Sequence, residues 1–452
     1  MKKKIVALLM CCALAAGALG GCGNGQGAQP SSQEPEKTET QKASEEKQES
    51  KSEEPSKEAE EEVTIKVSHW DVETSAKLPL LLEGFAAKYP NIKVEIIDIP
   101  SADYTTKLSV MLNGGSDLDA FWIKDGDTTK SLAEKGQLAD LTSYISGESL
   151  DLTAFNGLAE RFNMDGKTVA LPASTGYYVL YYNKDIFDAA NEPYPSNDMT
   201  WKEFEEVAAR ITSGTGADKD YGALFHTWQA CVQNWGVADG KHTIMDQDLS
   251  FFKPYYEMAL RMQEEGSVMD YATLKTSNLS YNNLFMQGNI GMLPMGTWFI
   301  ATLLDKKAAG ETDVNWGLAR LPHADDVEAG YTVGSVTPIA VNEASGKKDA
   351  AWKFIEYVCS EEGAKAYAEA GEFPSRANDD TLASIANGEG MPEGALEAIG
   401  VKNISLDRPM ESKVAEVNQM LGEQHSLIML GEVSVDDGIA EMNKLTKEIQ
   451  GQ

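Results

Sequence analysis

An α/β fold built from two domains is predicted for residues 63–452, and three observations predict it. The stretch is long enough for two packed cores. It opens with strand and helix patterns in alternation, which calls for a mostly parallel sheet joined by crossover helices. Its middle, Asp165–Asp188 (DGKTVALPASTGYYVLYYNKDIFD), carries two β-rich runs. Thr168–Leu171 is stopped by Pro172, and Tyr177–Tyr182 follows a loop of small residues and ends at Asn183-Lys184, where a helix can begin.

Ahead of the body, Lys2–Lys4 form a positive start and Ile5–Leu19 an apolar run. With Leu19-Gly20-Gly21-Cys22 behind it, residues 1–21 are expected to be a secretory signal ending in a bacterial lipobox, cleaved before Cys22, whose sulfur then carries the lipid. Two acyl chains suffice for stable attachment, so the membrane is met through the anchor only. Residues 22–62 hold twelve glutamates and five lysines and no aromatic residue, a composition that buries too little surface to order itself and reads as a disordered tether.

The whole chain carries a formal charge of −32, most of it on the body, which argues against nucleic acid, anionic lipid or polyphosphate as the main partner. Of five cysteines, Cys11 and Cys12 leave with the signal. Cys231 and Cys359 are expected to be two buried thiols rather than a bridge.

Within the body, Val63–Trp70 alternates as a first strand and delivers Trp70 and Asp71 to its carboxyl end, where ligands gather in open α/β sheets. Leu78–Tyr89 has helical spacing, Ile92–Ile99 is a second strand, and a helix from Asp103-Tyr104 ends at Asn113-Gly114-Gly115. Leu118–Ile123 is the third strand, with Lys124-Asp125-Gly126-Asp127 as the loop after it. Thr200 and Glu203 form a capping box ahead of a helix. Tyr221–Phe225 is a strand, and Trp228 and Trp235 in the polar stretch behind it can line a cleft or pack a helix face. Gly296 frees the backbone at a strand-to-helix turn and Trp298 stands at its mouth. Trp316–Pro322 and Tyr331–Val341 are further strands, Lys347–Val358 is an amphipathic helix, and Ser412–Ile449 reads as helices.

GKTVALP and LYYNKDIF resemble the crossover between the lobes of extracellular solute-binding proteins of family 1, relatives of maltose-binding protein. AEKGQLADL from Ala133, TWKEF from Thr200, FMQGNIGMLPMGTW ending at Trp298, AWKFIEYV from Ala351, and Gly371, Pro374 and Arg376 are similar to further segments of that family, in the same order. The resemblance implies a two-lobed, type II periplasmic-binding-protein-like fold, each lobe a mostly parallel sheet flanked by helices, with a hinge between. It assigns residues 63–173 plus about 325–373 to the N-terminal lobe, and 174–324 plus about 374–452 to the C-terminal lobe.

The resemblance also implies the site. Trp122 and Asp125 stand where the family grips sugar, because indole stacks on the apolar face of a sugar ring and a carboxylate accepts from neighbouring hydroxyls. Trp298 is the expected stacking platform, Tyr177 belongs to the crossover, and Arg376 can donate to ligand oxygens or pair with an acid. Ser174-Thr175-Gly176-Tyr177 lacks the carboxylate that maltose binders place in this loop, which weighs against maltose itself.

The expected function is therefore that of a monomeric, lipid-anchored substrate-binding component of an ABC-type importer on the extracytoplasmic face of the cell membrane. It would capture a carbohydrate, expected to be an oligosaccharide, and deliver it to permease subunits, with no cofactor and no enzymatic activity. Two rivals stand beside it. A non-sugar binder for a polyamine or metal could use Tyr177, Tyr178, Tyr181 or Tyr182 as phenolates for ferric ion, although adjacent strand residues face opposite ways. A secreted glycoside hydrolase would need two opposed carboxylates, for which Asp103, Asp119 and Asp125 are available.

Overall fold

Among the described residues there are eleven strands: β1 Val63–Trp70, β2 Ile92–Ile99, β3 Ala120–Trp122, β4 Asn163–Met164, β5 Lys167–Thr168, β6 Leu171–Asn183, β7 Tyr221–Ala223, β8 Ile290–Gly296, β9 Trp316–Arg320, β10 Tyr331–Val341 and β11 Asn403–Leu406. The computed structural model describes residues 62–451 except 125, 127, 149 and 156. The expected signal, Cys22 and nearly all of the tether lie outside the described residues, as does Asp125.

Nine strands form one sheet in the order β2-β1-β3-β10-β6-β8-β7, with β11 added to β10 and β9 to β6. The strands that each lobe contributes for itself run parallel, β1 with β2 and β3, and β7 with β8. The two long strands β6 and β10 run antiparallel to each other and to most of their neighbours. They are continuous where the chain passes from one packed region to the other. Leu171, Ala173, Ile339 and Val341 belong to one core, while Tyr177–Tyr182 and Val333 belong to a second.

Side-chain alternation explains the cores. Along the third strand and the residue after it, Ala120 and Trp122 face one layer of helices, whereas Phe121 and Ile123 face the other. Both faces are covered, so the first lobe's sheet is apolar on both sides, as parallel sheets between helices are. The second lobe is one large cluster that includes residues from β6, β8 and β9 and reaches Met442 in the last helix, Val435–Gln450.

The loop expected at Ala173–Gly176 is strand instead. β10 lies alongside and pairs Thr175 with Val336 and Ser174 with Thr337. On the other side Thr175 donates its amide to Phe373 O at 2.9 Å and Ser375 donates to Ala173 O at 3.1 Å. Pro172, which reads as a stop, sits opposite Pro338 beside a register shift at Thr337/Pro338, where a missing donor costs least. Small residues are needed here because three chain segments meet, not because the chain turns.

Cys231 and Cys359 are buried and free, one in each core. The capping box at Thr200 and Glu203 is formed. Among the described residues no helix is long and apolar enough to cross a membrane.

Candidate functional site

Strand direction locates the site before any side chain does. β1 and β3 are parallel and end at Trp70 and Trp122, and the amide of Ile123 then donates to Pro338 O of β10. β7 and β8 are parallel too, and Gly296 at the end of β8 pairs with Tyr178 near the middle of β6. Both lobes therefore aim the carboxyl ends of their parallel strands at the crossover, the position where ligands sit in open α/β sheets.

Trp298 opens the helix Trp298–Ala308, directly after β8, and is 37% exposed although its neighbours are buried. Its ring lies over two glycines: a Cβ on Gly176 would come within 2.8 Å of it, and one on Gly296 within 2.1 Å. Beneath, Tyr178 meets the ring edge-on at 5.4 Å between centroids, and the indole Nε1 donates to Tyr281 Oη at 3.2 Å. The platform is thus fixed by its neighbours while part of the indole stays exposed.

Trp228, 41% exposed, follows the end of β7 in the same cluster. Tyr281 links the two tryptophans, its ring 5.6 Å from Trp228, and His226 packs edge-on against both Trp228 and Tyr281. Burial, with Lys275 adding to it, lowers the His226 pKa to about 4, so the imidazole is neutral near pH 7. Its Nδ1 is buried without a hydrogen-bond partner. Burial likewise pushes the Tyr281 hydroxyl up to about 12, keeping it a neutral donor.

From the first lobe, Trp70 is half-buried, stacked on His69 at 4.5 Å and 14°, with Tyr104 edge-on at 5.1 Å. His69 Nδ1–H donates to the Trp70 carbonyl at 2.6 Å, and burial lowers the His69 pKa to about 3. Asp71 is exposed in the left-handed region at φ 49°, and its carboxylate accepts from the Ser101 amide at 2.9 Å. Lys124 reaches Ser101 as well, donating to its carbonyl at 2.8 Å and its hydroxyl at 2.6 Å. The loop after β3 meets β10 at Gly126, where a Cβ would touch Val336 O at 2.5 Å. Val336 is next to Ser335, the partner of Gly176, so this loop and the Trp298 platform approach neighbouring positions of one strand.

Sequence reading missed Asp407 and Arg408. They follow β11, where the Asp407 amide donates to Gly334 O at 2.9 Å, and they form a half-buried pair with Arg408 Nε 3.6 Å from Asp407 Oδ2. Their charges are felt at the Tyr178 hydroxyl, which burial above all holds in its neutral form. The only signal was an acid and a base ahead of Pro409, which by itself reads as a turn.

Four expected ligand contacts are placed elsewhere. Trp122 is fully buried: strand alternation turns it into the first core, edge-on to His69 and Phe354, with Nε1 donating to Tyr367 Oη at 3.2 Å. Trp235 is buried in the helix Ala230–Val237, stacked on Trp201 at 4.8 Å. Tyr177 is 3% exposed, and its hydroxyl donates to Ile399 O at 2.7 Å. Arg376 leans on the first lobe, its guanidinium 5.9 Å from the Phe155 ring centre and donating to Asp151 O at 3.5 Å.

The rival chemistries meet the same test. The hydroxyls of Tyr177 and Tyr181 are engaged, donating to Ile399 O at 2.7 Å and Gly296 O at 2.9 Å, and burial raises the pKa of Tyr177, Tyr178, Tyr181 and Tyr182. No group of three or more His, Cys, Asp or Glu among the described residues is placed to hold a metal. Asp119 is buried and accepts from the Lys66 amide and the Ser345 hydroxyl, with Lys347 at 3.3 Å, a structural carboxylate rather than one facing a cleft. Asp103 is exposed and pairs with Lys107 at 3.1 Å.

Comparison with known proteins fits this geometry. A sugar transporter from Rhizobium etli, solved in an open conformation, is 42% identical, covers 85% of this chain and 99% of its own, and superposes with a TM-score of 0.77. An ABC substrate-binding protein from Listeria monocytogenes, solved in complex with cycloalternan, is 24% identical over 86% of this chain and all of its own, with a TM-score of 0.73. The lactose-binding protein of Rhizobium radiobacter is 23% identical over 295 residues, 61% of this chain and 65% of that protein. The family model of bacterial extracellular solute-binding proteins matches residues 70–365, a span that runs from the end of β1 through the crossover and past β10, and the chain belongs to that family.

Proposed function

We propose that this protein is the substrate-binding component of an ABC-type importer, that it captures a carbohydrate between its lobes, and that hinge closure presents the loaded form to permease subunits. The observation that carries the reading is Trp298, an exposed indole held over glycines at the crossover. A flat apolar ring suits the C–H face of a pyranose, and contact of this kind contributes about 0.5–1.5 kcal/mol beyond the area it buries. Tyr281 and His226, neutral groups in its cluster, suit hydroxyl groups, as do the Ser101 hydroxyl and the Lys124 ammonium at the end of β3.

The moving bodies in this reading are residues 63–173 plus about 325–373, and 174–324 plus about 374–452. The core clusters support a crossing within β10, since Val333 packs in the large second cluster and Val336 in a cluster with β3. A cleavable signal and a lipid on Cys22 complete the proposal, placing the body outside the membrane on a Glu-rich tether.

Thermal unfolding of the full chain against a panel of saccharides, amino acids, polyamines and metal ions tests it. A ligand at a hundredfold excess over its Kd stabilises the native state by about 2.7 kcal/mol. A shift with one sugar series, lost in Trp298→Ala, is expected. A shift with an amine or a metal and none with any sugar would overturn the substrate class.

A further inference from the structure

We propose that residues 407–413 form a strap that docks the second lobe on the first beside the hinge, and that its contacts favour the closed form; the effect on ligand affinity rests on the function proposed above. Strand pairing brings the strap to this place. Gly334 of β10 pairs with Tyr177 of β6 on one edge and with Leu406 of β11 on the other. Further along β10, Ile339 pairs in the same way with Leu171 of β6 and with Trp122 of β3. β11 runs parallel to β10 and β3 antiparallel to it, so both lie on one edge of β10 with their carboxyl ends pointing at each other. The loop that leaves β3 and the strap that leaves β11 therefore meet between the lobes.

Packing changes lobe along this segment. Ile404 packs against the second-lobe core, Leu406 and Met410 pack with Phe121, Ile123 and Val336 of the first lobe, and Val414 is back in the second-lobe core. Between them the Asp407 amide donates to Gly334 O at 2.9 Å, and the Ser412 hydroxyl donates to Glu134 Oε1 at 3.2 Å, at the end of the helix Thr128–Glu134. Lys413, in the left-handed region at φ 73°, turns the chain from strap into the helix Val414–Met429 and pairs with Glu416 at 2.7 Å. A lysine keeps that conformation where its surroundings impose it, and here the chain is held by one lobe before Lys413 and by the other after it.

β6 and β10 join the lobes through the chain itself and cannot separate, whereas the contacts of the strap can. There is room for it to move: a gap of about 370 Å³ lies between Leu108, Lys124 and Leu132 on the first-lobe side and Glu411, Ser412 and Val414 on the other. β3 and β11 both end on this side, so opening the lobes here pulls the strap from its dock. A contact made in the closed form and lost in the open one raises the closed fraction, and apparent affinity rises with that fraction.

Small-angle scattering and hydrogen exchange of the full chain, without any sugar, test the strap itself. Met410→Ala/Ser412→Ala is expected to enlarge the radius of gyration and to speed amide exchange across residues 403–413 about tenfold, with unfolding still a single transition. Glu134→Ala, at an exposed position, repeats the test from the first lobe without touching a core residue. Titration with glucose-, galactose-, mannose- and xylose-based di- and trisaccharides should then show binding about fivefold weaker in both variants. Scattering and exchange unchanged in both would overturn the strap. Opened variants that bind a saccharide as tightly as the parent would overturn its part in closure. Silence with every saccharide would overturn the carbohydrate reading alone, and the sugar-free measurements would still decide the strap.

Discussion

Trp122 and Trp298 both stand at the end of a strand next to the crossover, and their surroundings give them opposite work. Phe354, His69 and Tyr367 enclose Trp122 completely, so Trp122→Ala should cost about 3–5 kcal/mol of stability as a core truncation does. Denaturant unfolding measures it. Trp298 has one open face, so Trp298→Ala should change stability far less yet abolish sugar binding, read by titration of the folded variant. If both variants lost stability equally and Trp298→Ala still bound, the platform assignment would be wrong. Exposure at a strand end, not residue type, separates the two.

At the scale of the element, β6 and β10 are the strands that run through both cores, and in the proposed function they are the hinge. Gly176 has no room for a side chain: its Cβ would meet the Trp298 ring at 2.8 Å, and the nearest contacts are side-chain rather than backbone atoms. Gly176→Ala should therefore leave the fold intact, tilt the platform and weaken binding about tenfold or more. Gly334 is a different case, because a Cβ there would strike the Gly176 carbonyl at 2.5 Å. Gly334→Ala should disturb the crossing itself, and a lower unfolding temperature without ligand is the expected reading. The capping box offers a calibration far from the site: Thr200→Ala should cost about 1 kcal/mol and leave affinity unchanged.

For the molecule as a whole, the buried His69 and His425 and the half-buried His226 set an acid limit. Burial lowers His69 and His425 to about 3 and His226 to about 4. Their folded values lie below the unfolded one, so below about pH 6.5 the unfolded chain takes up protons that the folded chain refuses. Stability should be full above that pH and fall on acidification toward about pH 4, by up to about 1.4 kcal/mol per pH unit for each group. His425→Gln should flatten the slope, measured as unfolding temperature against pH between 4 and 7. An unchanged slope would mean that His425 does not contribute. Closure belongs to the same scale: contacts with both lobes would favour a closed form, and solution scattering should show a smaller radius of gyration in the presence of the sugar that binds.

Periodicity and turn chemistry carried the local structure. The spans expected for Val63–Trp70, Ile92–Ile99 and Tyr331–Val341 are the strands observed, because alternating β-branched residues between turn signals leave few other choices. The order of family-like segments around the Asp165–Asp188 stretch was enough for the family. It was not enough for the site. Ala173–Gly176 is strand because β10, far along the chain, lies beside it. Trp122, Trp235 and Tyr177 are core because helices cover the faces they point to, while Trp298 and Trp228 keep a face open. Asp407 and Arg408 join the site only because β11 adds to the edge of β10. Local sequence thus determined which segments are strands and helices and which family they form; which aromatic faces meet solvent depends on non-local packing, which only the tertiary structure decides.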